Sequence, residues 1–195
     1  MKKISFSLTL LCFLFIYLPL AQAHQAHNHS AAKVNIFVDG PLVNISLESP
    51  LDNLLPFDYS PTTIREQTLV KEMAYQMHKA EDLFQLTPAA ECRLENVALF
   101  SDKLEASLLL PNDSPDPPQI DCAKELNCRS QFPSEEHGDL KADFVFICSK
   151  PQNLKSIDIL LFTAWPKFTR IQTHAITPKG QRAATLTPPK NKLSW

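Results

Sequence analysis

The chain has 195 residues, a formal net charge of −2 and a hydrophobic content of 44%, which suits a single domain around one core. A mildly acidic chain with no basic patch is a poor nucleic-acid binder. Its only three glycines stand far apart, which leaves no P-loop, no G-x-G-x-x-G fingerprint and no G-x-S-x-G nucleophile elbow. H-E-x-x-H is missing as well, and the scattered carboxylates form no acid–base pair, so the chain reads as a non-enzyme.

Lys2 and Lys3 precede an apolar run over residues 4–20 that Pro19 interrupts near its end, and Ala21-Gln22-Ala23 follows. A basic start, an apolar stretch and an A-x-A site form a secretory signal peptide. Cleavage after Ala23 is expected, with export to the periplasm; an uncleaved membrane anchor is the rival reading. The expected organisation is a signal peptide at 1–23, a His-rich tail at 24–33 and one domain at 34–195. No second apolar stretch approaches the length needed to span a bilayer, so no membrane contact is expected after cleavage. Loss of Lys2 and Lys3 leaves the mature chain more acidic by two charges. Cys12 leaves with the signal, and Cys92, Cys122, Cys128 and Cys148 remain. Outside the cytoplasm four cysteines read as disulfides, with three connectivities open. A four-cysteine zinc site competes, but paired C-x-x-C knuckles are lacking.

Two alternating runs, 33–38 and 42–47, flank Asp39-Gly40, and Pro178-Lys179-Gly180 separates 170–176 from 182–186. Both places read as β-hairpins. Thr63 and Glu66 have capping-box spacing. Val70, Met73, Met77, Ala80 and Phe84 follow at helical intervals, predicting one helix to about Leu86 that packs on the core. Strands are predicted over 94–100, 104–110, 140–148 and 154–162. Residues 111–136 differ in kind, with five prolines, several acids and two cysteines, and read as an irregular insertion. The fold class expected is α+β: a mainly antiparallel sheet, one principal helix packed on it, and disulfide stabilisation.

Three of six histidines fall in His24-Gln25-Ala26-His27-Asn28-His29, at the start of the expected mature chain. Imidazole suits zinc, copper and nickel, and a protein whose cysteines are oxidised must ligate metals through His, Asp and Glu. A free amine on His24 would add a nitrogen donor, the arrangement that chelates Cu²⁺ as a histidine brace. His137-Gly138-Asp139 stands at the mouth of the strand ending in Cys148, where imidazole and carboxylate can share one metal, or the carboxylate can orient the ring. His78, beside the helical stripe, and His174, inside a strand, read as structural side chains.

The order of motifs resembles the ZrgA-like family of bacterial periplasmic zinc-binding proteins over essentially the whole mature chain. The motifs are the signal peptide, the His-rich start, the hairpin at 40–50, and Leu54-Leu55-Pro56-Phe57-Asp58-Tyr59-Ser60-Pro61. They continue with Leu83-Phe84, Cys92, His137-Gly138-Asp139, Phe146-Ile147-Cys148, Trp165-Pro166 and Thr177-Pro178-Lys179-Gly180. The resemblance implies zinc binding in the periplasm in support of an ABC-type zinc importer. Three departures stand out: Tyr59 and Lys141 occupy positions where histidine is usual in the family, and residues 111–136 carry no histidine. The metal ligands expected are His24, His27, His29, His137 and Asp139, with Zn²⁺ as the ion and Cu²⁺ as the alternative. The other reading is a non-catalytic interaction module of the envelope on the same scaffold, with a degenerate metal site. The expected disulfides are Cys92–Cys148, because one residue begins a strand and the other ends one, and Cys122–Cys128, close together in the insertion.

Overall fold

The computed structural model describes residues 31–111 and 138–195. Alternation of side chains builds the larger sheet. In Ala32–Asp39 (β1) every second residue is buried, and Leu42–Pro50 (β2) returns from it antiparallel, with Ile36 opposite Ile45. Gly40 takes a positive φ of 53° in the turn between them, a conformation that disfavours residues with a Cβ. Cys92–Ser101 (β4), Asp139–Cys148 (β5), Ile171–Thr177 (β7) and Gly180–Leu186 (β8) complete a six-stranded sheet ordered β4-β5-β2-β1-β7-β8. All its pairs are antiparallel except β1 with β7. A smaller antiparallel sheet joins Phe84–Leu86 (β3), Ser156–Ile159 (β6) and Lys192–Ser194 (β9).

One face of the large sheet carries the core. Ile36, Ile45, Phe144 and Ala175 gather there with Val70, Met73, Ala74 and Met77 of the single long helix, Ile64–His78 (α1), and with Phe84, Ile157 and Ile159 of the small sheet. The Phe84 and Phe144 rings meet at 5.0 Å across the two sheets. The fold is therefore the expected α+β arrangement, with the Cys92–Cys148 disulfide joining β4 to β5 where the two residues face each other. Cys122 and Cys128 lie outside the described residues. Among the described residues no helix is long and apolar enough to cross a membrane.

Helix α1 starts where the capping box places it. Glu66 N–H donates to Thr63 Oγ1 at 3.2 Å, and Thr63 N–H donates to Glu66 Oε2 at 2.9 Å. Thr63→Ala should lower the unfolding free energy by about 1 kcal/mol, the usual cost of a lost N-cap, measurable by urea denaturation. The Glu66 carboxyl is held down to about 2 by the N–H groups of Thr62 and Thr63 and then by the Tyr59 hydroxyl. A depressed carboxyl stabilises the fold above its ordinary value and loses that contribution as the folded form takes up its proton. The stability gap between wild type and Glu66→Gln should hold at neutral pH and close between about pH 4.5 and about pH 2, which acid titration of urea midpoints would record.

Three expected elements differ. The stripe from Val70 to Phe84 is buried throughout, but α1 stops at His78. Lys79 leaves the helical region at φ −90°, ψ 51°, a short turn of helix Ala80–Leu83 (α2) follows, and Phe84 already belongs to β3. Residues 104–110 are not a strand: Ala106–Leu108 form a 3₁₀ turn that buries Leu108 and Leu109 in succession. Within 154–162 only β6 is extended, because Leu161–Ala164 (α3) turns helical.

Candidate metal centre

The mouth of β5 is where three segments converge on Gly138. The Gly138 N–H donates to the Asp58 carbonyl at 3.0 Å, and the Gly138 carbonyl accepts from Leu51 N–H at 2.9 Å. A Cβ built on Gly138 would lie 2.5 Å from Lys103 Cγ, 2.7 Å from the Asp58 carbonyl oxygen and 2.7 Å from Leu51 Cδ1. One of these neighbours is backbone and cannot swing aside, so the glycine is required for close approach. Gly138→Ala should destabilise the protein by roughly 1–3 kcal/mol, the range for overpacking, in thermal or urea unfolding. Beneath this junction the Lys167 ammonium donates to the carbonyls of Asp52 and Leu55, each at 2.9 Å, and fixes the turn after β2.

Asp139 opens β5 opposite Pro50, half-buried. Glu48 stands opposite both Lys33 of β1 and Lys141 of β5. The start of β1, where the N-terminal tail joins the sheet, and Asp139 thus lie at the same end of the sheet. Two strand spacings separate them, about 10 Å. His24, His27, His29 and His137 lie outside the described residues.

Tyr59 and Lys141, the two positions where the resemblance implies histidine, both lie near this mouth. Tyr59 follows Asp58 directly. Its ring lies 5.2 Å from Phe57, and its hydroxyl donates to Glu66 Oε1 at 2.9 Å. The hydrogen bond to Glu66 raises the phenol above its ordinary value, so ionisation to a metal-binding phenolate is disfavoured. Lys141 lies two residues along β5 from Asp139, on the solvent face beside Glu48, which also pairs with Lys33 at 3.7 Å. A protonated ammonium has no lone pair to give a metal and repels a cation nearby. Among the described residues no three His, Cys, Asp or Glu side chains come together in a way that could hold a metal. The described fold therefore contributes Asp139 from the expected ligand set, and every imidazole of that set comes from segments outside it.

The other two histidines stand apart from this mouth. His78 closes α1, and its Nε2 lies 2.9 Å from the Leu109 carbonyl. His174 is exposed on the solvent face of β7. Asp58 is the residue that sequence reasoning passed over. Its carbonyl ties the Pro56–Pro61 segment to β5, and the framing prolines, which set a fixed turn, were the available signal.

Residues 26–195 match the model of the ZrgA family, described as zinc uptake proteins. The chain belongs to the ZrgA family of zinc uptake proteins. A search of curated proteins finds no match. The ZrgA match spans both sheets, α1 and the β5 mouth, and connects the whole fold with zinc uptake.

Proposed function

We propose that this chain is a periplasmic zinc-binding accessory protein, which captures or buffers Zn²⁺ and hands it to an ABC-type importer. The role needs no catalytic group. The observation that supports it is the common location of the tail junction at the start of β1 and of Asp139 at the mouth of β5, two strand spacings apart. About six residues of extended chain reach ~20 Å, so ligands from His24, His27 and His29 can reach a metal shared with His137 and Asp139. Four of these would complete a tetrahedral shell, whereas three leave a position for water or a transfer partner. The neutral imidazoles favour Zn²⁺ or Cu²⁺ over hard cations. An A-x-A signal at residues 21–23 and a disulfide at Cys92–Cys148 both suit an oxidising compartment.

The second reading, an envelope interaction module with a degenerate site, draws support from Lys141 and from the Tyr59 hydroxyl committed to Glu66. Growth in chelator-limited medium separates the two. A deletion strain should grow poorly until zinc is added back, and a copy with His137→Ala should fail to restore growth. If zinc does not rescue the deletion, the interaction module is the better account.

A further inference from the structure

The two edges of the large sheet are finished differently. At the β4 edge the pairing shifts between Leu94 and Asn96, and the Glu81 carboxylate of α2 accepts the Leu94 N–H at 3.1 Å. A bulge and a side-chain acceptor together blunt that edge against further pairing. Among the described residues the β8 edge has neither. Thr177 faces Gly180 across a two-residue turn, so Gly180, Arg182, Ala184 and Leu186 turn their main-chain groups toward β7. Gln181, Ala183 and Thr185 then turn theirs outward. Thr173 Oγ1 donating to the Ala184 carbonyl at 2.8 Å agrees with this parity. Gln181, Ala183 and Thr185 are all exposed. Among the described residues the only bond to these outward groups is from the Arg182 guanidinium to the Gln181 carbonyl at 3.2 Å.

We propose that β8 pairs antiparallel with β8 of a second copy of this chain, forming one continuous sheet across a twofold axis. A register centred on Ala183 sets Ala183 against its counterpart, Gln181 against Thr185 and Arg182 against Ala184. No like charges stand directly opposed, and the methyl groups at the axis let the backbones close to strand spacing. The outward groups of the three residues in each copy then exchange about six main-chain hydrogen bonds. Arg182 releases the Gln181 carbonyl at little cost because both residues are exposed. Pro188 and Pro189 follow β8 without N–H donors and confine the pairing to this segment. An interface of one strand pair belongs to the small, transient class, so association depends on concentration.

Ala183→Pro tests the pairing cleanly, since the N–H it removes points away from β7 and leaves the β7–β8 ladder intact. In sedimentation equilibrium of the exported protein, the wild-type average mass should rise from monomer toward dimer with concentration. Ala183→Pro should raise the dissociation constant about tenfold or more. Ala183→Lys, which sets two ammonium groups opposite each other at the axis, should do the same and covers the case in which the proline variant fails to fold. A wild-type protein that stays monomeric to its solubility limit overturns the proposal, and so does a folded variant that dimerises like wild type.

Discussion

Replacing Cys92 and Cys148 together by alanine should lower the unfolding free energy by about 4 kcal/mol, the loop-closure value for a bridge of this span. The two cysteines are 56 residues apart in sequence, so the unfolded chain gains a large closed loop's worth of freedom when the bridge is lost. The bridge also has a local task. It ties the edge strand β4 to β5 at the end where Cys92 and Cys148 are directly opposed. Without it, β4 keeps its ladder with β5, the Leu94 N–H bond to Glu81 and the contacts of its inner side chains, and this edge should become the first part of the sheet to open. Urea denaturation of the double variant isolates the effect from Cys122 and Cys128, which a reducing agent would also attack. A loss below about 1 kcal/mol would mean that the unfolded chain is already compact around this pair.

Zinc affinity should fall about tenfold for each imidazole bound between pH 7.5 and pH 5.5, hence about a thousandfold for three. The reason is proton competition. An imidazole of ordinary pKa, near 6.5, is mostly neutral at the upper pH and about nine-tenths protonated at the lower, and only the neutral ring ligates. Carboxylate ligation by Asp139 alone would leave affinity almost flat over that interval, because Asp is ionised throughout it. The slope therefore counts histidines in the site. Fluorescent-chelator competition across the pH range, supported by the number of protons released, gives that count directly.

Much of the fold was legible because it rests on local rules. The Gly40 and Gly180 hairpins followed from turn chemistry, and the capping box at Thr63 and Glu66 set the start of α1. The Cys92–Cys148 pairing followed from one strand beginning and another ending with cysteine. What escaped depended on tertiary context. The stripe of Val70, Met73, Met77, Ala80 and Phe84 has the same spacing whether the backbone continues as a helix or breaks at Lys79, since burial alone shapes the pattern. Residues 104–110 supply Leu104, Leu108 and Leu109 to the core, and a leucine-rich run reads equally well as a strand or as the 3₁₀ turn that Ala106–Leu108 adopt. The parallel pairing of β1 with β7 joins segments more than 130 residues apart, and no short motif encodes it. At the site, histidine density and His137-Gly138-Asp139 were visible at once. The role of Gly138 as the meeting point of Leu51, Asp58 and Lys103 became visible only in three dimensions.

The N-terminal histidines and the β5 mouth are proposed to form one zinc site. Calorimetric zinc titration at pH 7.5 tests it most directly, on the mature chain from His24, the same chain beginning at residue 31, and the full mature chain with His137→Ala. Zinc binding by the mature chain should be weakened both by removing the tail and by replacing His137. Identical binding with and without His137 would contradict this and leave the tail as a lone chelator. No zinc binding by any of the three would leave the fold as an interaction module.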